Sequence, residues 1–379
     1  MISTYKSNDY IVQSIEESLL PVGYEEIEKA ARDILSPQAF SYISSGAGAE
    51  ETARKNKDAF QKYSIVPKLL NDVSEVDTSI SLFERNYPTP FILAPVGVLK
   101  LADDQGDLAV TRAASKYNIP FIQSTVSSFS IEEVGQSSGA PKWFQLYWTS
   151  LEDISFSFVK RAEKAGYEAI VVTIDTVTLG FREKDLSYGY SPLADGYGQG
   201  NFESDDVFLS TVEEVNNSAI VDGIIKNINY PALNWSHISK LKEKTSLPIL
   251  LKGVLHPEDA QRAVNLGVDG LIVSNHGGRQ LDGVISSIDA LSEIAKVVNG
   301  KIPVLFDSGI RRGSDALKAL ALGADAVLIG RPYVYSLAIN GEKGVSQFLA
   351  NFLQDFSSSM MLSGVKNMKQ LQQLKIICD

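Results

Sequence analysis

Cysteine is almost missing: the one thiol, Cys378, stands next to the last residue, which excludes an intramolecular disulfide and a cysteine-based metal cluster. Such usage fits a reducing compartment. No stretch reaches the 18 consecutive apolar residues that mark a spanning helix. The opening MISTYKSNDYIVQSIEES is polar and acidic throughout, with neither the apolar core of a secretory signal nor the Arg-rich face of a presequence. The closing ICD is not a peroxisomal tripeptide, so a cytoplasmic location is the expectation. Positive charge is also in deficit. Thirty-five Lys and Arg against 46 Asp and Glu leave a net charge of -11, which repels phosphate backbones and anionic bilayers. No nucleic-acid or membrane partner is expected, although a local basic pocket for a small anion is compatible with that total. No solenoid-period repeat, low-complexity tract or Gly-x-Gly-x-x-Gly after the first predicted strand is present.

What is present reads as an ordinary globular chain, 44% apolar and 21% charged over 379 residues. From residue 90 onward, eight short β-branched runs recur: PFILAPVG, PFIQST, KWFQLYW, AIVVTIDT, PILLKG, GLIVSN, PVLFDSG and AVLIGR. Each is apolar on both faces, the mark of parallel strands covered by helices. Amphipathic stretches such as HPEDAQRAVNLG and RGSDALKALALG separate them, each closing on a glycine suited to a helix C-terminus. The pattern predicts an α/β fold, a closed (β/α)8 barrel, with an open doubly wound sheet as the competing arrangement. One domain over 1–379 is expected: a helical extension (1–85), the barrel (86–340), a long lid after the fourth strand (177–247) and C-terminal helices (341–379). The Gly-rich, acidic YSPLADGYGQGNFESDD of that lid is expected to be mobile.

Active sites of such barrels sit where the strands end. The sixth-strand end, SNHGGRQLD, sets His276 and Arg279 around two glycines: a group that takes a proton near neutrality beside a guanidinium that clamps a carboxylate. A solvated surface turn is the plainer reading of His-x-x-Arg. DSGIRRG and GRP follow the seventh and eighth strands, the usual phosphate site of this fold, with Gly309, Arg311, Gly330 and Arg331 as candidates against two plain glycine turns. Asp175 is either a helix N-cap or the acid behind His276. Lys252, ending an apolar strand, needs an anionic partner, such as a flavin that becomes anionic when reduced.

SNHGGRQLD, FDSGIRRG, IGRP, WFQLYW, VTIDT with Arg182 in GFREKDL, and FSYISSGAG occur in that order across nearly the whole chain. In them the chain resembles the FMN-dependent 2-hydroxy-acid oxidase and dehydrogenase family, a TIM-barrel family that includes lactate oxidase, glycolate oxidase and lactate 2-monooxygenase. The resemblance implies FMN as cofactor, a small L-2-hydroxy acid as substrate, O2 as acceptor, and a homotetramer. It puts substrate against Tyr42, Tyr147, Arg182 and Arg279, with His276 as base, Asp175 behind it, and Tyr42 and Tyr147 in the catalytic set. FMN falls to Gly97, Ser124, Gln145, Thr173, Lys252, Ser274, Asp307, Gly309, Arg311, Gly330 and Arg331. The mechanism implied is removal of the hydroxyl proton by His276, with the α-hydrogen passing to flavin N5 as hydride.

Two departures bear on the outcome. Gly97 in APVGV stands where many oxidases of the family have Ala, implying extra space beside the flavin, as in the lactate 2-monooxygenase branch that yields acetate, CO2 and water. That branch also resembles the lid in its length and in GNFESDDVF. Val126 stands where several relatives are aromatic, leaving substrate size open. Oxidation of L-lactate to pyruvate with H2O2 release is the main expectation and the monooxygenase the alternative. An FMN barrel of isomerase or nucleotide-dehydrogenase type, or one that only binds a phosphorylated ligand, is remoter. A haem-fused dehydrogenase is disfavoured by the three histidines, His237, His256 and His276, and by the expected lack of a preceding haem domain.

Overall fold

The computed structural model describes residues 20–378. Eight parallel strands close into a barrel: β1 (Phe91–Leu93), β2 (Phe121–Gln123), β3 (Lys142–Leu146), β4 (Ile170–Thr173), β5 (Ile249–Val254), β6 (Gly270–Val273), β7 (Val304–Phe306) and β8 (Ala326–Ile329). The open-sheet alternative is excluded where β8 returns to β1, with Val327 opposite Phe91 and Ile329 opposite Leu93. Strand alternation explains the doubly apolar runs. Ile92, Ile122, Trp143, Val171, Leu250, Ile272, Leu305 and Leu328 form one cluster inside the barrel. Their neighbours Phe91, Phe144, Ile170, Leu251, Phe306 and Val327 join the helices in a second cluster outside.

Ahead of the barrel, helices occupy Tyr24–Ile34, Pro37–Ser44 and Glu51–Asp58, while 63–85 holds strands and turns and no helix; residues 1–19 of the expected helical extension lie outside the described residues. A hairpin of Ile80–Leu82 and Arg85–Tyr87 was not foreseen. Its Leu82 and Tyr87 belong to the interior cluster, and Phe83 meets Trp143 edge to face at 5.7 Å. The N-terminal mouth is thereby plugged, leaving the C-terminal end for the site. At the other end of the chain, the helix Arg331–Ser363 breaks at Asn340 and Gly341, and Ile376–Cys378 pairs with Tyr63–Ile65.

The long connection after β4 carries helices at Glu183–Tyr188, Gly200–Glu203, Asp206–Leu209, Asn217–Ile228 and Trp235–Lys242. Its GNFESDDVF stretch is packed in, against the expectation of mobility through residue 206. Asn201, Phe202, Asp205 and Phe208 are buried, Arg161 pairs with Asp205 at 3.1 Å, and Phe202 meets Phe158 and Phe208 edge to face. Phe202, Asp205 and Phe208 thus anchor the lid. The stretch Glu183–Gly189, by contrast, is largely exposed.

Candidate active site

Two residues beyond each interior apolar residue, the same strand face carries Ala94, Ser124, Gln145, Thr173, Lys252, Ser274, Asp307 and Gly330. This parity makes them the next inward layer, so the barrel interior turns polar at its open end. Ser124 donates to Gln145 Oε1 (3.1 Å) and Gln145 Nε2 donates to Thr173 Oγ1 (3.0 Å). Lys252, 3% exposed, donates to Ser274 Oγ at 3.1 Å and lies 3.4 Å from Asp307.

His276 and Asp175 meet above this layer. His276 Nδ1 lies 2.9 Å from Asp175 Oδ1. An ionised carboxylate only accepts, so Nδ1 carries the hydrogen and Nε2 is left as the proton acceptor. Burial and the Lys252 cation, opposed by Asp175, hold the imidazole below its usual range. Burial alone would raise Asp175, but His276, Lys252 and the Thr176 hydroxyl outweigh it and keep the carboxyl low. The pair is thus a neutral base on an anionic acid. Gly253 makes this approach feasible: a Cβ there would lie 2.6 Å from Asp175 Cβ. Thr176, which bonds Asp175 Oδ1 at 3.0 Å and His276 Nδ1 at 3.2 Å, was missed by the sequence reading; its only signal was adjacency in VTIDT.

Arg279 and Arg182 flank the Tyr42 ring, 5.1 and 6.0 Å from its centre. Arg279 is braced by the Tyr42 and Ser45 carbonyls at 2.7 and 2.8 Å, Arg182 by the Arg279 carbonyl at 3.2 Å. Burial and the neighbouring Arg182 press the Arg279 guanidinium down to about 9. Two cations so placed favour an anion between them. Tyr147 lies on the same cavity; burial and Asp175 push its phenol up, so it stays a donor. At the far end, Arg331 donates to Ile43, Gly277 and Ser45 carbonyls, while Arg311 Nε is buried with no hydrogen-bond partner among the described residues. A Cβ on Gly330 would meet only Ala94, at 4.0 Å. The start of the helix Gly313–Ala321 adds its dipole beside Arg311.

One cavity of about 1070 Å³, its mouth included, joins these parts. Tyr42, Gly97, Tyr147, Arg182, Lys252, His276, Arg279, Asp307, Gly309, Arg311, Gly330 and Arg331 line it. Ser124, Gln145, Thr173, Ser274 and Asp175 stand behind that lining. At Gly97, which lines the cavity, a Cβ would lie 2.5 Å from Val126 Cγ2, so Val126 fills the notch that the missing side chain leaves. An orphaned donor and a half-buried arginine at one end, with a buried lysine in the lining, fit the phosphate and ring of FMN.

A plugged barrel whose open rim couples a flavin-sized basic cavity to a base and paired guanidiniums defines a flavin-dependent oxidoreductase of small carboxylates. The chain belongs to the FMN-dependent dehydrogenase family, matching it over residues 31–377. It is 50% identical over 371 residues to an L-lactate oxidase of Lysinibacillus sphaericus, covering 97% of this chain and 96% of that protein. A 4-hydroxymandelate oxidase of Amycolatopsis orientalis is 39% identical over 353 residues, 93% and 97% of the two chains. The crystal structure of a mandelate oxidase with (S)-4-hydroxymandelic acid superposes with a TM-score of 0.87 at 38% identity, covering 94% of this chain and 99% of that one.

Proposed function

We propose that this chain oxidises L-lactate, or a short L-2-hydroxy acid close to it, to the 2-keto acid, with O2 as acceptor and H2O2 as product. One observation carries the reading: the neutral His276–Asp175 pair opens onto the same cavity as Arg182 and Arg279. Arg279 and Arg182 take the substrate carboxylate, and Tyr42 and Tyr147 hold its oxygens. His276 Nε2 receives the hydroxyl proton, and Asp175 stabilises the resulting imidazolium. FMN supplies the two-electron acceptor for the α-hydrogen. Ser124, Gln145, Thr173, Lys252, Ser274 and Asp307 would support its ring; Gly309, Arg311, Gly330 and Arg331 would hold its phosphate.

The 50% identity to an L-lactate oxidase supports lactate over aryl substrates. Filling of the Gly97 notch by Val126 favours peroxide release over the monooxygenase reading, because it removes the extra room beside the flavin. A cytoplasmic location suits the lone Cys378; no helix among the described residues is long and apolar enough to cross a membrane. A homotetramer would cover exposed apolar side chains on the rim loops, among them Phe181 and Leu281.

The test is anaerobic bleaching of the purified yellow protein by L-lactate, followed by aerobic product analysis. Bleaching with pyruvate and stoichiometric peroxide is expected. No bleaching by any 2-hydroxy acid rejects the activity, and acetate without peroxide selects the monooxygenase. His276→Gln should keep FMN and lose turnover; unchanged turnover removes it as the base.

A further inference from the structure

The loop that carries His276 runs through three successive left-handed residues, His276 (φ 59), Gly277 (φ 64) and Gly278 (φ 77). For a residue with a β-carbon that conformation is disfavoured, so its surroundings must impose it. Three side chains hold the loop's amides: Ser274 Oγ accepts from His276 N (3.0 Å), Ser308 Oγ from Gly277 N (3.0 Å) and Asn275 Oδ1 from Gly278 N (3.2 Å). Asn275 is itself gripped from outside the barrel. Asn56, on the helix Glu51–Asp58, donates Nδ2 to Asn275 Oδ1, and Asn275 donates Nδ2 to Asn56 Oδ1, both at 2.7 Å.

Backbone groups fix the polarity of this cyclic pair. Ser287 N donates to Asn56 Oδ1 at 3.3 Å, and Asn275 Nδ2 also donates to the Ile285 carbonyl at 3.2 Å. Neither amide can turn over without setting like groups face to face. Both residues are buried, at 3% and 5% exposure. The same helix is seated on the loop elsewhere: Asp282 accepts from Thr52 N at 2.8 Å, and a Cβ on Gly278 would lie 2.5 Å from Ala53 N.

We infer that Asn56 is a positioning residue for the oxidation: through its amide pair with Asn275 it holds the His276 loop in left-handed register, touching neither substrate nor cofactor. The inference rests on His276 being the base. A helix that precedes the barrel thereby acts on the chemistry of the sixth strand end.

Asn56→Ala and Asn56→Asp test it, read by the rate of anaerobic flavin bleaching with saturating L-lactate, the KM, FMN content and circular dichroism. Asn56→Ala is expected to keep its fold and FMN, leave KM within about threefold, and slow bleaching by about 10- to 100-fold at every pH, as a displaced catalytic group does. Asn56→Asp carries a signature that loss of helix packing alone would not produce. Ionised, it opposes two oxygens; protonated, its O–H donates to Asn275 Oδ1 again. Its rate relative to the parent should therefore climb as pH falls, while that of Asn56→Ala stays flat.

Bleaching by Asn56→Ala within twofold of the parent overturns the inference, as does a pH-independent deficit in Asn56→Asp. Failure of both variants to fold or hold FMN at any pH also overturns it, since the pair would then serve the barrel and not the loop. If His276→Gln retains turnover, the base assignment falls first, and that result is separable from these.

Discussion

Asp107 lies fully buried on the helix Gly106–Ser115. Desolvation pushes its carboxyl up to about 7, the Ser127 hydroxyl offsetting only part. Its folded pKa stands above the unfolded value, so the native state holds a proton that the unfolded chain has released. Stability is therefore lost as pH climbs from about 4 to about 7. Asp107→Asn should melt higher than the parent, by a margin that widens across that window and then levels; equal melting curves at pH 4.5 and pH 8 would remove Asp107 as the cause. Around the flavin face, the groups that could be read in advance are those with distinctive chemistry at strand ends: His276, Asp175, Lys252 and the arginines. Thr176, Ser308 and Asn56 escaped notice because a hydroxyl or amide acquires its role only from its partner. Asn56 and Asn275 stand 219 positions apart, and nothing in either segment announces the other. The room beside Gly97 was not legible for a related reason, since it depends on which side chain, here Val126, leans into it.

The eight strands emerged at nearly their full positions because both faces of each are apolar. The hairpin Ile80–Tyr87 did not, because each arm offers three residues with few apolar contacts of its own. Its apolar contacts come from what it plugs. Phe83→Ala should lower stability by about 2 kcal/mol, less than a fully buried Phe→Ala change, with turnover and FMN content unchanged; a large activity loss would mean that the plug governs the distant rim. The lid's anchor makes an opposite demand. Gly200 lies so close to the loop after β2 that a Cβ would meet Phe129 C at 2.6 Å and Ser128 C at 2.7 Å, while Asn201 Nδ2 donates to the Ser124 and Thr125 carbonyls. Gly200→Ala must displace the segment bearing Ser124 and Val126. An increase in KM and weaker FMN retention, each on the order of tenfold, is the expected result, with parental kinetics arguing that lid and loop move independently.

A chain with a net charge of -11 gathers Lys252, Arg182, Arg279, Arg311 and Arg331 around one cavity, where mutual repulsion and desolvation work against the fold. Anion binding relieves both. Removing FMN should lower the melting temperature, and sulfate or inorganic phosphate at matched ionic strength should restore part of the loss where chloride does not. Equal melting with and without FMN would mean that the cations are satisfied within the protein.

Arg331, just past β8, grips the Ile43 carbonyl across 288 positions of chain and also donates to the Gly277 carbonyl. Ribosomal synthesis delivers these parts in order, so the earliest helices must wait for almost the whole polypeptide before their carbonyls find those guanidinium donors. Cofactor loading on this geometry requires the end of the eighth strand: a nascent chain stalled before residue 331 should capture no flavin.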